Sequence, residues 1–285
     1  MTLRERLRRA RLYWRSRALF RECLEDPGVA WRLPFAGDRK VEIRFRTGRR
    51  FAMPARYWPL LPTACRLDRI GARFEFSDEG KRIELDGLVF HTPLWTRNEA
   101  DYLREVLVED IYGAKSRDFR GKVVVDVGAY VGDASLAFAR QGATVHAVEP
   151  SAAFSALIRR NAEENGLAAN VVVHAVGLAE RAGEAAFGAD RLHFVEGVDY
   201  ALRNFPANIE LLKLDCEGAE YHLLGDSRFL AHLAPREIRM EYHRGPEALL
   251  PKLEAAGYDV EMGPAEGSVG LLKAISRRAS GPSAA

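Results

Sequence analysis

The sequence predicts an α/β protein in which a small α+β part precedes a doubly wound, mostly parallel sheet, and three patterns carry that expectation. From Lys122 onward, near-continuous runs of Val, Leu and Ile alternate with segments of helical pattern, as strands covered on both faces by crossover helices require. Before about residue 95, short stretches alternate apolar and polar residues between turns rich in Gly and Asp, the mark of antiparallel hairpins. Ahead of both lies a segment crowded with arginines. A chain of 285 residues can bury cores for two such parts.

Residues 1–25 hold Arg4, Arg6, Arg8, Arg9, Arg11, Arg15, Arg17 and Arg21, with Glu5 the one acid among them before Glu22. Leu3, Leu7, Leu12, Trp14, Ala18 and Leu19 recur at roughly helical spacing, so a basic amphipathic helix is expected. Its favoured role is a solvated helix packed on the body; contact with a membrane surface or with RNA is the alternative. Residues 26–97 should form a small antiparallel layer. The stretch 41–47 alternates, Gly48 turns the chain and 49–54 returns. A second set, 72–76 and 81–90, is punctuated at 78–80 and at Asp86-Gly87. Asn98 is placed to cap a helix over 98–112 that opens a third segment, 98–276. There the strand candidates are 123–127, 144–149, 170–176, 209–215, 236–242, 258–262 and 268–274. Helices are expected at 133–141, 151–165, 219–224 and 245–256, and residues 277–285 as a disordered tail.

Composition excludes several classes. Lys and Arg total 42 against 40 Asp and Glu, so the net charge points to no polyanionic partner. The arginine-rich start lacks the apolar stretch of ~7 to 15 residues that a secretory signal needs, and no run of ~20 apolar residues is present to span a bilayer. Cys23, Cys65 and Cys216 are odd in number and widely spaced, which argues against a disulfide framework or a zinc cluster. The cytoplasm is the expected compartment.

The chemistry concentrates at strand ends. After the first strand of the third segment comes Asp126-Val-Gly128-Ala129-Tyr130-Val-Gly132-Asp133. A dinucleotide loop needs G-x-G-x-x-G, whose second glycine is missing here, and Asp126 would repel a pyrophosphate. S-adenosyl-L-methionine reverses the electrostatics, because its ammonium and its sulfonium attract a carboxylate. Gly128 and Gly132 are then expected to let the loop approach the methionine moiety, and the helix start at Asp133 to offer N–H groups to its carboxylate. Tyr130 either lines that pocket or packs. Glu149, before Pro150 at the end of the second strand, suits the two ribose hydroxyls. Backbone groups near Val176 and Gly177 are left for the adenine. Asp215 ends the fourth strand with Glu217 and Glu220 just beyond it, and Glu241, Tyr242 and His243 end the fifth, so the two acidic clusters should face one cleft. His146 and His174 lie inside apolar strands and read as core residues.

The segments VVDVGAYVGDASLAFA, HAVEPS, LLKLDCEGAEYHLL and MEYH, in that order and spacing, resemble the FkbM family of methyltransferases over roughly residues 106–274. Cys216 departs from the aliphatic residue more usual there. The resemblance implies a Rossmann-like class I methyltransferase sheet of seven strands, the last one antiparallel. It also implies transfer of a methyl group from S-adenosyl-L-methionine to a hydroxyl of a sugar, glycan or natural product. A hydroxyl gains from a positioned base, and His243 is the favoured candidate. A His243 that only hydrogen-bonds a cleft carboxylate is the plain alternative. Asp215, Glu217, Glu220 and Glu241 would orient the hydroxyl; a divalent metal held by Asp215, Glu241 and His243 is the less favoured arrangement. Two other functions compete. An RNA base methyltransferase fits the basic start, but the fourth strand ends in DCEGAE and not in an NPPY-like run that would stack a base, so nucleic acid is not the expected partner. A non-catalytic partner protein would keep the fold without the chemistry. No oligomeric state is implied.

Overall fold

The computed structural model describes residues 3–37, 39–187 and 190–280. The chain divides into two compact units, 1–109 and 110–285.

In the first unit the helix Leu3–Cys23 packs Phe20 and Cys23 into a core with Leu24, Ile43, Phe45, Met53 and Leu61. Its apolar stripe is rotated from the expected one. Leu12, Tyr13 and Leu19 are half-buried, whereas Trp14 and Ala18 are exposed. The side chains of Leu3 and Leu7 lie outside the described residues. The expected hairpin pairs Lys40–Arg44 with Arg50–Pro54. A three-stranded sheet follows, Arg73–Ser77, Gly80–Leu85 and Leu88–Thr92. Asp86 and Gly87 both take positive φ (52° and 75°), the mirror-image turn that matches the twist of its strands. Helix Leu61–Arg69 lies between the two sheets; its proline-led start gives no clear helical signal.

Helix Glu99–Leu107 is shorter than its sequence pattern, and Asn98 occupies the N-cap position without a side-chain cap bond. This helix belongs to the first unit, so the division falls after Glu109 and not after residue 97. A fully buried ion pair explains the difference. Lys81 Nζ lies 2.5 Å from Glu99 Oε1, both side chains having no solvent exposure, and also donates to the Thr96 carbonyl and hydroxyl at 2.8 and 2.9 Å.

The second unit is built on a seven-stranded sheet. In chain order its strands are Val123–Val127, Thr144–Val148, Val171–His174, Leu211–Leu214, Glu237–Tyr242, Tyr258–Glu266 and Val269–Ser276. In space the order is sixth, seventh, fifth, fourth, first, second, third. Only the seventh runs antiparallel to its neighbours. Valine-rich strands stay buried beneath helices such as Asp133–Arg140 and Ala152–Glu164, the latter capped by the Ser151 hydroxyl accepting from Phe154 N–H. The strand order reverses between the first and fourth strands, and the crevice outside their carboxyl ends is where such sheets bind ligands. Three elements lie outside the sequence expectation: a small sheet from Gly177–Ala179, Gly183–Phe187 and Asp190–Glu196, and the helices Gly197–Asn204 and Ser227–Leu233. The expected disordered tail, 277–285, is ordered in its first part. Arg277–Ser280 form a 3-10 turn, held by Arg277 donating to Asp259 at 2.8 Å and to the Tyr258 carbonyl at 3.1 Å; residues 281–285 lie outside the described residues. Among the described residues no helix is long and apolar enough to cross a membrane.

Removing one partner of a buried ion pair strands the other charge at a cost of about 3 to 5 kcal/mol. Glu99→Ala should therefore destabilise the first unit by about that amount in denaturant titration, whereas the paired replacement Lys81→Met with Glu99→Leu should cost much less.

Candidate active site

The carboxyl ends of the first and fourth strands are tied by a lysine. Lys213 sits in register with Asp126, and its Nζ lies 2.8 Å from Asp126 Oδ1. It also donates to the Gly128 carbonyl at 3.0 Å, lies 3.9 Å from Asp215 Oδ2 and stands 5.1 Å from the centre of the Tyr112 ring. Burial pulls the Lys213 pKa down, but the carboxylates of Asp126, Asp215 and Asp133 outweigh it and hold the amine charged. Asp126 is wholly buried, its other oxygen accepting from Ser135 Oγ at 2.6 Å. The carboxylate expected to meet the cofactor ammonium is thus engaged inside the protein. Asp215 stands at the surface of this cluster, its side chain 30% exposed, and accepts from Tyr112 Oη at 3.1 Å.

The glycine loop is shaped by contacts within the protein. Gly128 has φ +85°, and a Cβ there would stand 1.7 Å from the Asp215 carbonyl oxygen. Its bare backbone makes room for the chain leaving the fourth strand. At Gly132 (φ +86°) a Cβ would press on Leu136 and Ile158. The N–H groups of Gly128 and Ala129 both donate to the Val148 carbonyl at 3.0 Å, and Ala129 is buried. Tyr130 takes φ +49° and rests its ring 4.5 Å from that of Phe154, so it packs. The Tyr130 N–H donates to Glu149 Oε2 at 3.0 Å, and Ser151 N–H to Oε1 at 2.9 Å. Glu149 is thereby fixed at the end of the second strand, and burial pushes its pKa up to about 7 against the pull of those two donors. Asp133, buried at the start of its helix, is likewise pushed to about 7 by burial, opposed by Lys213 and reinforced by Asp126. Pro150 is half-buried beside this turn. The Val176 N–H is spent on the His174 carbonyl at 2.9 Å, which takes one of the backbone groups expected for adenine.

The fifth strand delivers the histidine. His243 Nδ1 lies 3.0 Å from Glu220 Oε1, and the His243 backbone N–H donates to the same oxygen at 3.2 Å. Glu220 is fully buried; its second oxygen accepts from Gly218 N–H at 2.9 Å and from the Cys216 thiol at 3.4 Å. With Nδ1 so engaged, Nε2 points to the cleft, 3.8 Å from both Asp215 Oδ1 and Glu217 Oε2. Glu217 is 91% exposed at its side chain. Burial draws the His243 pKa down, but the Glu220 hydrogen bond and the charges of Glu220, Glu217 and Asp215 prevail, leaving it above 6.5. Ligand atoms of Asp215, Glu241 and His243 all lie within 4.8 Å of one another, a spacing that suits a divalent cation as well as a protonated imidazole. The expected gathering of Asp215, Glu217, Glu241 and His243 is therefore present. Three contributors lie outside the expected set: Lys213, Tyr112 and the anchoring role of Glu220. Of these, Lys213 left a readable signal, a charge inside the apolar run LLKL that can be buried only with a partner. His146 and His174 bond each other at 3.0 Å and His174 bonds Tyr200 Oη at 3.0 Å; both are half-buried, at the margin of the core and not inside it.

Residues 126–260 match the family model described as the Methyltransferase FkbM domain. That part of the second unit is similar to an FkbM methyltransferase domain. No curated protein matches the chain. Among solved structures, the FkbM methyltransferase of Methylobacillus flagellatus is 17% identical with a TM-score of 0.42; the match covers 54% of this chain and 43% of that one. The present chain thus spans less than half of that protein. TYW2 of M. jannaschii in complex with AdoMet is 13% identical (TM-score 0.45, covering 70% and 87%). A transferase of Pyrococcus horikoshii is 16% identical (TM-score 0.46, covering 80% and 87%). Likenesses of this size assign no acceptor to this domain.

Within that domain, Asp126→Ala should cost about 3 to 5 kcal/mol in thermal or denaturant unfolding by leaving Lys213 unpaired. Lys213→Met on the Asp126→Leu background should recover most of that loss, which a purely ligand-binding Asp126 would not allow.

Proposed function

We propose that the protein is an S-adenosylmethionine-dependent O-methyltransferase that methylates a hydroxyl of a small molecule or glycan, with His243 as general base. One observation carries the reading: a buried carboxylate, Glu220, holds His243 so that its free nitrogen faces the cleft beside Asp215. A fixed imidazole whose second nitrogen is committed to a carboxylate is how a base is oriented toward a hydroxyl.

The residues fit the cofactor. Asp133, Glu149, Asp215, Glu217 and Glu241 gather at the strand ends against Lys213 and His243, so the surroundings favour a cation. Glu149 keeps acceptor capacity on both oxygens for ribose hydroxyls, and Asp215, the partly exposed acid of the Lys213 cluster, is placed for the methionine ammonium. Bound S-adenosylmethionine supplies an electrophilic methyl on a cationic sulfur. Asp215, Glu217 and Glu241 orient the acceptor hydroxyl, and His243 Nε2 takes its proton as the oxygen becomes nucleophilic. The resulting imidazolium is stabilised by Glu220 on one side and the cleft acids on the other. Should a divalent cation occupy Asp215, Glu241 and His243, it would lower the hydroxyl pKa in place of the base. The free thiols of Cys23, Cys65 and Cys216 suit the cytoplasm.

Calorimetric titration with S-adenosylmethionine tests the cofactor first: the intact protein should bind in the micromolar range, roughly, and Glu149→Ala about tenfold or more weakly. Absence of binding by the intact protein would refute the reading, and binding without transfer to any hydroxylated acceptor would leave the non-catalytic partner. Once an acceptor is found, His243→Gln should lower kcat by about 10²- to 10⁴-fold. Because His243 must lose its proton and its pKa is raised, the rate should climb with pH above 6.5, and Glu220→Gln should move that limb to lower pH.

A further inference from the structure

The helix Leu3–Cys23 presents two unlike faces. Tyr13, Leu19, Phe20 and Cys23 turn toward the first unit's core, while Arg11, Trp14, Arg15, Arg17 and Ala18 are exposed. Trp14 is 60% exposed in the middle of that basic face, with the Arg17 guanidinium 4.9 Å from its ring centre. Tyr13 links Trp14 (6.2 Å) to Trp31 (5.4 Å), and Trp31 reaches Phe35 at 6.3 Å. Trp31 and Phe35 are 49% and 58% exposed. Tyr13 anchors this run on the core, while Trp14, Trp31 and Phe35 leave apolar area in water. The neighbouring acids are engaged at the far end of the helix, Glu22 by Arg69 at 3.4 Å and Asp26 by Arg32.

We propose that this surface docks the protein on a bilayer of anionic phospholipids. Arginines pair with lipid phosphates while Trp and Phe enter the boundary between headgroups and acyl chains, the division of labour of interfacial helices. Charge complementarity selects the anionic lipid, and the aromatic run supplies the depth that charge alone lacks. RNA would meet the same arginines and rings, and the test below separates it from the bilayer. The surface lies wholly in the first unit, so its test is independent of methyl transfer.

Sedimentation with vesicles decides the matter. The full chain should bind phosphatidylcholine vesicles containing phosphatidylglycerol, bind pure phosphatidylcholine weakly, and release as salt rises. Its tryptophan emission should shift to the blue on binding. Trp14→Ala, at a position 60% exposed, should keep the thermal melt and lower partitioning about tenfold. Replacing Arg11, Arg15 and Arg17 by Gln together should lower it about a hundredfold, at ~1 kcal/mol per arginine. No binding to anionic vesicles at low salt would overturn the proposal, as would binding that Trp14→Ala leaves unchanged. Tighter binding to mixed-sequence RNA, weakened by the same variants, would assign the surface to nucleic acid instead.

Discussion

The candidate site depends on the burial of one ammonium group. Lys213 lies in a strand whose residues are buried throughout, where an unpaired charge would cost several kcal/mol. Its pairing with Asp126 across the register locks the carboxyl ends of the first and fourth strands together. Several features then follow. Gly128 must lack a side chain because the Asp215 carbonyl occupies the space. Asp215, held by Tyr112, emerges where the chain leaves the buried strand, and so faces the histidine delivered by the neighbouring strand. The positions of the cleft acids are consequences of how the lysine is neutralised.

This dependence also shows what a sequence can and cannot reveal. The strands were legible because buried parallel strands need long runs of Val, Leu and Ile, and the acids at their ends were legible because such sheets expose those ends to ligands. The partner of Asp126 was not, since it lies in another strand and only the register brings it near. The motif located Asp126 and the glycines correctly but not their contacts: a positive φ calls for glycine whether a ligand or another strand approaches. The small sheet from Gly177 to Glu196 escaped notice because its strands are short and rich in small or charged residues. Helix Glu99–Leu107 was legible as a helix, yet its unit was decided by Lys81, a residue in a distant strand. Trp14 fitted an apolar spacing but faces water, because the spacing of a few residues leaves the direction of the stripe open when Tyr13, Phe20 and Cys23 offer a better one.

The two buried ion pairs, Lys81 with Glu99 and Lys213 with Asp126, do parallel work in separate units. Each fastens an element end that hydrophobic packing would hold less specifically, since apolar contacts are nondirectional. The second differs in having excess acid around it. Glu149 and Asp133, both pushed to about 7 by burial, carry part of that excess in protonated form near neutral pH. A cation entering the crevice would favour their ionised forms and regain the Coulomb energy that burial withholds. The fold therefore concentrates negative charge at these strand ends, and the Glu220 bond to Nδ1 leaves His243 Nε2 toward the cleft acids. Asp215 joins the two clusters, 3.9 Å from Lys213 Nζ and 3.8 Å from His243 Nε2, whereas the buried Glu220 bonds the other nitrogen of the imidazole.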